Sequence, residues 1–174
     1  MRRTLLMLLF SALPAVALGT PNVPPAYRAI ATAQGVPPAL LYAVALTESG
    51  RALPNTTELR PWPWSVNFGG RGQYFESRQA ARQAIETYLA SGQRSVDIGL
   101  MQISWRYHQA NLGTVWRALD PHHNVVEAAR ILNACRDRHT DWWSSVGCYH
   151  APSDPQRAAR YQARVRAHWL RLEP

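Results

Sequence analysis

From Val36 to Leu46 the chain reads VPPALLYAVAL, without one charged side chain, and two residues later comes a single acid, Glu48, in the string ALTESG. A segment that is apolar on every side makes a helix only if it is buried all round, so the remainder of the chain must wrap it. Pro37 and Pro38 are tolerated in a first helical turn, and Gly50 is placed to end the helix. A carboxylate at the C-terminal end of such a helix meets desolvation and the negative end of the helix dipole, and both raise its pKa. A glutamic acid that stays protonated near neutral pH can give its proton to a leaving oxygen, the requirement for the general acid in glycoside cleavage. The alternative is a glutamate on a wet face at the helix end.

Residues 1–19, MRRTLLMLLFSALPAVALG, have a basic start at Arg2 and Arg3 and an apolar stretch short for a bilayer. Small residues Ala17 and Gly19 then offer a cleavage frame, the pattern of a signal peptide. No later run is long and apolar enough to read as a transmembrane helix, and the expectation is an exported, periplasmic protein with residues 20–174 as one domain. A chain of that length buries roughly two-thirds of its surface without needing a staple. Cys135 and Cys148 are nevertheless present, and an exported pair is used most simply as a disulfide; two buried thiols are the alternative.

Every basic side chain other than histidine is arginine, and removal of Arg2 and Arg3 leaves seventeen against eleven acids, a net charge of +6. Outside the cytoplasm this balance suits an anionic wall polymer or membrane surface. No zinc-finger spacing, stacking-aromatic motif or basic heptad region points to nucleic acid. His122, His123, His139 and His150 with the two cysteines show no standard metal-ligand spacing, so neither metal nor cofactor is expected.

No repeat or linker interrupts the domain. A short helix over PAYRAIATAQG closes at Gly35, followed by the apolar helix from Pro37 to about Ser49. WSVNF and QYF flank GGRG as a small hairpin. Ser77 is placed to cap a helix carrying Ala81, Ala84, Ile85, Tyr88 and Leu89 inward, and Asp120–Pro121 and Asp154–Pro155 each read as an N-cap followed by proline. The first of these last two turns Val125, Val126, Ala129, Leu132 and Cys135 inward. The second carries Arg157, Arg160, Arg164 and Arg171 on one stripe, a solvated face or an anion contact. A further helix is expected from near Asp97 through IGLMQISWRYH, with Asp97 as its N-cap. The sum is a mainly α domain with a minor hairpin.

SVDIGLMQISWRYH, residues 95–108, is the second unusual stretch. Gly99 permits close approach to the backbone, and the Gln102 amide both donates and accepts, as an acetamido or peptide group requires. The plainer reading is a core helix with Leu100, Met101 and Ile103 packed inside and Gln102 idle. Taken together, ES, then GLMQ, then the tyrosine segment CYHAP resemble the lytic transglycosylases with the soluble-lytic-transglycosylase type of domain, over roughly residues 25–155. WPWSVNFGG and SVDIGLMQISWRYH are most similar to the forms carried by conjugative and type IV secretion systems.

The resemblance implies a lysozyme-like fold that cleaves the β-1,4 bond between N-acetylmuramic acid and N-acetylglucosamine in peptidoglycan. It implies Glu48 as the single catalytic acid and base, and 1,6-anhydro-muramyl ends as product. Gln102 and Ser104 match positions lining the sugar and peptide subsites, and Tyr149 matches the tyrosine that approaches the acid. Tyr149 is equally explained as a core aromatic. His150 and Pro152 replace the asparagine and glycine of the commoner Ala-Tyr-Asn-Ala-Gly, which leaves stem-peptide recognition open. Two rivals remain: a goose-type lysozyme-like hydrolase positioning water through Asp97, and a non-catalytic peptidoglycan-binding scaffold of a secretion machine. Envelope components of a conjugation or type IV secretion system are the partners the resemblance suggests, and monomer is the default state.

Overall fold

The computed structural model describes residues 22–172; the expected signal peptide at 1–19 lies outside them. Eight helices and two small antiparallel sheets are present among these residues, so the mainly α reading holds. Helix α1 (Pro25–Gln34) ends at Gly35 in the left-handed conformation, and α2 (Pro38–Ser49) begins just after Pro37. Every residue of α2 from Ala39 to Leu46 is buried, which the uncharged sequence demanded. Its neighbours are α1, the strand β2 (Leu59–Pro61) and the last helix, α8 (Pro155–Trp169). Among the described residues no single helix is long and apolar enough to cross a membrane.

After α2 the chain enters β1 (Gly50–Ala52), which pairs with β2 in a two-stranded ribbon. The expected hairpin follows as β3 (Ser65–Phe68) and β4 (Arg71–Tyr74), turning through Gly69 and Gly70, both at positive φ. Ser77 caps α3 (Arg78–Ala90) by accepting from Ala80 N. Asp120 likewise caps α6 (Pro121–Arg136) by accepting from His123 N, and Asp154 caps α8 by accepting from Arg157 N. Ala81 and Ile85 of α3 are buried, as are Val125, Ala129, Leu132 and Cys135 of α6.

The helix expected from Asp97 is not there. Val96–Ile98 form strand β5, which pairs with β3, and Ile103–Ser104 form β6, which folds back on β5. Only Trp105–Leu112 are helical, as α4, followed by the short α5 (Val115–Ala118). Gly99 at φ 84° and Gln102 at φ 46° both lie outside helical space and make the tight β5–β6 turn. Asp97 therefore caps nothing: it sits mid-strand, opposite Asn67 and Ser104.

Two helices went unread in the sequence: the short α5, capped by Thr114 accepting from Arg117 N, and α7 (Trp142–His150), capped by Asp141 accepting from Ser144 N. The expected disulfide joins Cys135, in the last turn of α6, to Cys148 in α7, with the Cα atoms 5.9 Å apart. It fixes α7 beside the core across a short loop. In the chain-entropy account a loop of this size contributes about 3 kcal/mol. Thiol labelling of the unreduced, denatured protein should find no free cysteine, and the Cys135→Ser/Cys148→Ser protein should lose about 3 kcal/mol in denaturant unfolding. Two reactive thiols per chain would contradict this pairing.

Candidate active site

Glu48 stands in the last turn of α2, half-buried, at the point where the chain leaves the helix for β1. Gly50 makes that exit: a Cβ there would run into the Leu46 carbonyl, so no other residue fits without moving the helix end. The neighbouring Ser49 is buried and donates its hydroxyl to Leu100 O at 2.7 Å. That bond ties the end of α2 to the β5–β6 turn, and it is how the two unusual stretches of sequence meet.

The turn is built on Asn124 of α6, fully buried. Its Oδ1 accepts from Met101 N at 2.9 Å, and its Nδ2 donates to Ile98 O at 3.0 Å and Ala118 O at 3.1 Å. A Cβ on Gly99 would come within 2.6 Å of that amide, so glycine is required here by space as well as by φ. Gln102 Nε2 donates to Gly99 O at 2.9 Å and to Ser65 O at 3.1 Å. Its donors face inward to the backbone, leaving Oε1 as the atom to accept from a bound group.

The acid itself is met by Tyr161 of α8, whose hydroxyl donates to Glu48 Oε1 at 2.6 Å. His150 lies flat on the Tyr161 ring, centroids 4.3 Å apart and planes within 4°, and the Arg164 guanidinium lies 5.5 Å from the same ring. Tyr149 instead donates its hydroxyl to Met101 O at 2.7 Å, bracing the turn from the other side. Tyr161 was not singled out in the sequence. The available signal was an inward pair, Tyr161 and Val165, in an otherwise arginine-rich helix; the remaining arginines of the stripe, Arg157, Arg160 and Arg171, are exposed.

Burial drives the Glu48 carboxyl up from 4.5 to about 7, against the opposing pull of the Tyr161 hydrogen bond and the Arg164 charge, with Asp97 pushing the same way as burial. Asp97 is itself raised by burial, restrained by Asn67, whose Nδ2 donates to its Oδ2 at 3.0 Å, and by Ser104. The structure thus gathers Glu48, Asp97, Gln102, Ser104 and Tyr149 around the junction of α2 with the β5–β6 turn. Among the described residues no group of three His, Cys, Asp or Glu is arranged to hold a metal, and both cysteines are in the disulfide. One concavity, of about 570 Å³ between β3–β4 and α3, has no carboxylate in its lining and takes no part in this arrangement.

A half-buried acid poised at neutral pH beside a GLMQ turn is accompanied by a match over almost the whole described chain: the family model Transglycosylase SLT domain covers residues 25–171. The chain belongs to the transglycosylase SLT domain family. No curated protein and no solved structure matches it significantly. Membership makes this an α-rich, lysozyme-like domain of the lytic transglycosylases, with peptidoglycan as the implied substrate.

The raised pKa has a consequence for stability. Folded protein holds the Glu48 proton up to about pH 7 while the unfolded chain releases it near 4.5. The stability this contributes is whole below the lower value and is lost as the pH rises through the upper one. Relative to wild type, the Glu48→Gln protein should therefore gain on the order of 3 kcal/mol between about pH 4.5 and pH 8 in urea unfolding. A pH-independent difference would contradict the assignment.

Proposed function

We propose that this protein cleaves the β-1,4 bond between N-acetylmuramic acid and N-acetylglucosamine without water, with Glu48 as the only proton carrier. The observation that supports this most is the Glu48 carboxyl itself, raised to about 7 and held by Tyr161. Near neutral pH a large fraction of it is protonated, and the free energy between its two forms is small, so one group can serve as acid and then as base. In the first half of the cycle the Glu48 proton goes to the glycosidic oxygen as the C1–O bond breaks, and N-acetylglucosamine leaves as the alcohol. In the second half the Glu48 carboxylate takes the proton of the muramyl C6 hydroxyl while O6 bonds to C1. Charge and atoms balance: the acid is regenerated, no water is consumed and the product carries a 1,6-anhydro end.

Tyr161 supports both halves. By donating to Oε1 it steadies the carboxylate formed midway, and it keeps the other oxygen for the substrate. Gln102, through Oε1, and Ser104, both of the β5–β6 hairpin that Ser49 ties to the acid, and Tyr149, which braces that hairpin from α7, are the substrate-binding residues in this reading. A non-catalytic scaffold would have no use for an acid poised in this way. A hydrolase of the goose-type lysozyme kind is favoured by one observation, the half-buried Asp97 whose charge reaches Glu48 and which could orient a water. The signal-like N-terminus and the disulfide support export to the periplasm. Resemblance of WPWSVNFGG and SVDIGLMQISWRYH supports local wall opening for a conjugation or type IV secretion apparatus.

Digestion of purified peptidoglycan, read by mass spectrometry, tests this directly. Wild type should release anhydro-muropeptides, each lighter by one water than the hydrolytic product, whereas reducing ends would establish the hydrolase. Glu48→Gln should keep the fold by circular dichroism and lose at least about a thousandfold in rate, because both proton transfers disappear together.

Tyr161→Phe removes an interaction that lowers the Glu48 pKa. The high-pH limb of the rate profile should therefore move upward while the maximal rate falls about tenfold, the loss of one hydrogen bond to a charged group. A limb shifted downward would contradict the role given to this hydroxyl.

A further inference from the structure

The charge nearest to the acid in sequence has no part in the mechanism above. Arg51 follows Glu48–Ser49–Gly50 directly and is the middle residue of β1 in the ribbon β1–β2. The chain then returns beside it, because Trp62 N donates to Ser49 O at 2.9 Å. The Trp62 ring is pinned by its own Nε1, which donates to Phe75 O at 2.7 Å, and the Arg51 guanidinium lies 4.5 Å from that ring's centroid. On the hairpin side Tyr74 stands 5.5 Å from the guanidinium, and its hydroxyl donates to Gly50 O at 3.3 Å. Arg51 is thus held by two aromatic rings, one fixed through its Nε1 to Phe75 O and the other through its hydroxyl to Gly50 O.

Packing against ring faces occupies the guanidinium plane and leaves its N–H edge for an acceptor. One edge nitrogen, Nη1, reaches Glu76 Oε1 at 3.3 Å, but the Glu76 side chain is 79% exposed and such a pair holds little. Among the described residues Nε and Nη2 donate to no protein acceptor. Arg60, opposite Arg51 in the β1–β2 register, is by contrast engaged with Glu58 at 2.9 Å. A clamped, partly solvated arginine with a free fork suits a carboxylate taken in two-point fashion. The glycan chain of peptidoglycan is itself neutral at its N-acetyl groups; its carboxylates belong to the stem peptides.

We propose that Arg51 receives a stem-peptide carboxylate of the peptidoglycan strand lying across Glu48, making it a specificity-determining residue. This rests on the lytic reading of the site, and it is best tested by binding, which needs no turnover. The Glu48→Gln protein, which leaves the polymer intact, is sedimented with insoluble peptidoglycan whose free amines are acetylated and whose carboxyls are either untouched or converted to amides. It should bind the untouched polymer roughly tenfold more tightly than the amidated one. Adding Arg51→Gln should bring that ratio to within about twofold. Adding Arg82→Gln, an equal loss of charge from an exposed pair on α3, should leave the ratio near its original value. Arg51→Lys, which keeps the charge but not the planar fork, should fall between. Equal behaviour of the Arg51→Gln and Arg82→Gln proteins, or a ratio that survives Arg51→Gln, would overturn the proposal. Either result would leave the lytic reading standing, since the products released by wild type test that reading separately.

Discussion

A carboxyl at the end of a buried helix keeps a fixed place only if something meets its oxygens, and here the Tyr161 hydroxyl does so from 113 residues further along the chain. Much of the architecture positions that one contact. The all-apolar α2 must be surrounded, and α8 is one of the elements packed on it, bringing Tyr161 against its last turn. Helix α7 is fastened to α6 by the disulfide and supplies His150, the flat partner of the Tyr161 ring. From the other side, Ser49 and Asn124 hold the GLMQ turn against the acid through backbone carbonyl and amide groups rather than through side-chain packing.

Two opposing effects set the chemistry of Glu48. Desolvation favours the protonated form, as does the neighbouring Asp97, while Tyr161 and Arg164 favour the carboxylate. Burial without the hydroxyl would hold the proton more firmly, and the hydroxyl without burial would leave an ordinary carboxylate that is ionised before substrate arrives. Their balance near neutrality lets one group act in both directions, which a reaction that consumes no water requires.

Local signals in the sequence were sufficient at three helix starts and at one hairpin, though the equally local caps Thr114 and Asp141 were passed over. Ser77, Asp120 and Asp154 cap helices because each can reach a backbone N–H within its own turn, and Gly69–Gly70 close a hairpin because only they take its dihedrals comfortably. Glu48 stood out because an acid after an uncharged run has few explanations. The stretch from Asp97 misled because Leu100, Met101 and Ile103 are apolar at a spacing a helix also permits; the strand pairing of Val96–Ile98 with β3 and the positive φ of Gly99 and Gln102 override it. Tyr161 and Asn124 were invisible for a different reason. Each acts on residues far away in sequence, and periodicity reveals only that a side chain points inward, not what it meets there.

If the fold keeps Glu48 protonated close to neutral pH, the carboxyl itself reports it. In protein labelled with 13C at the glutamate side-chain carboxyls, the Glu48 resonance, assigned by its absence from the Glu48→Gln spectrum, is followed as a function of pH. Its titration midpoint should lie near 7. A midpoint at the unperturbed glutamate value of about 4.3 would contradict this, because the acid would then be ionised at neutral pH and have no proton to give.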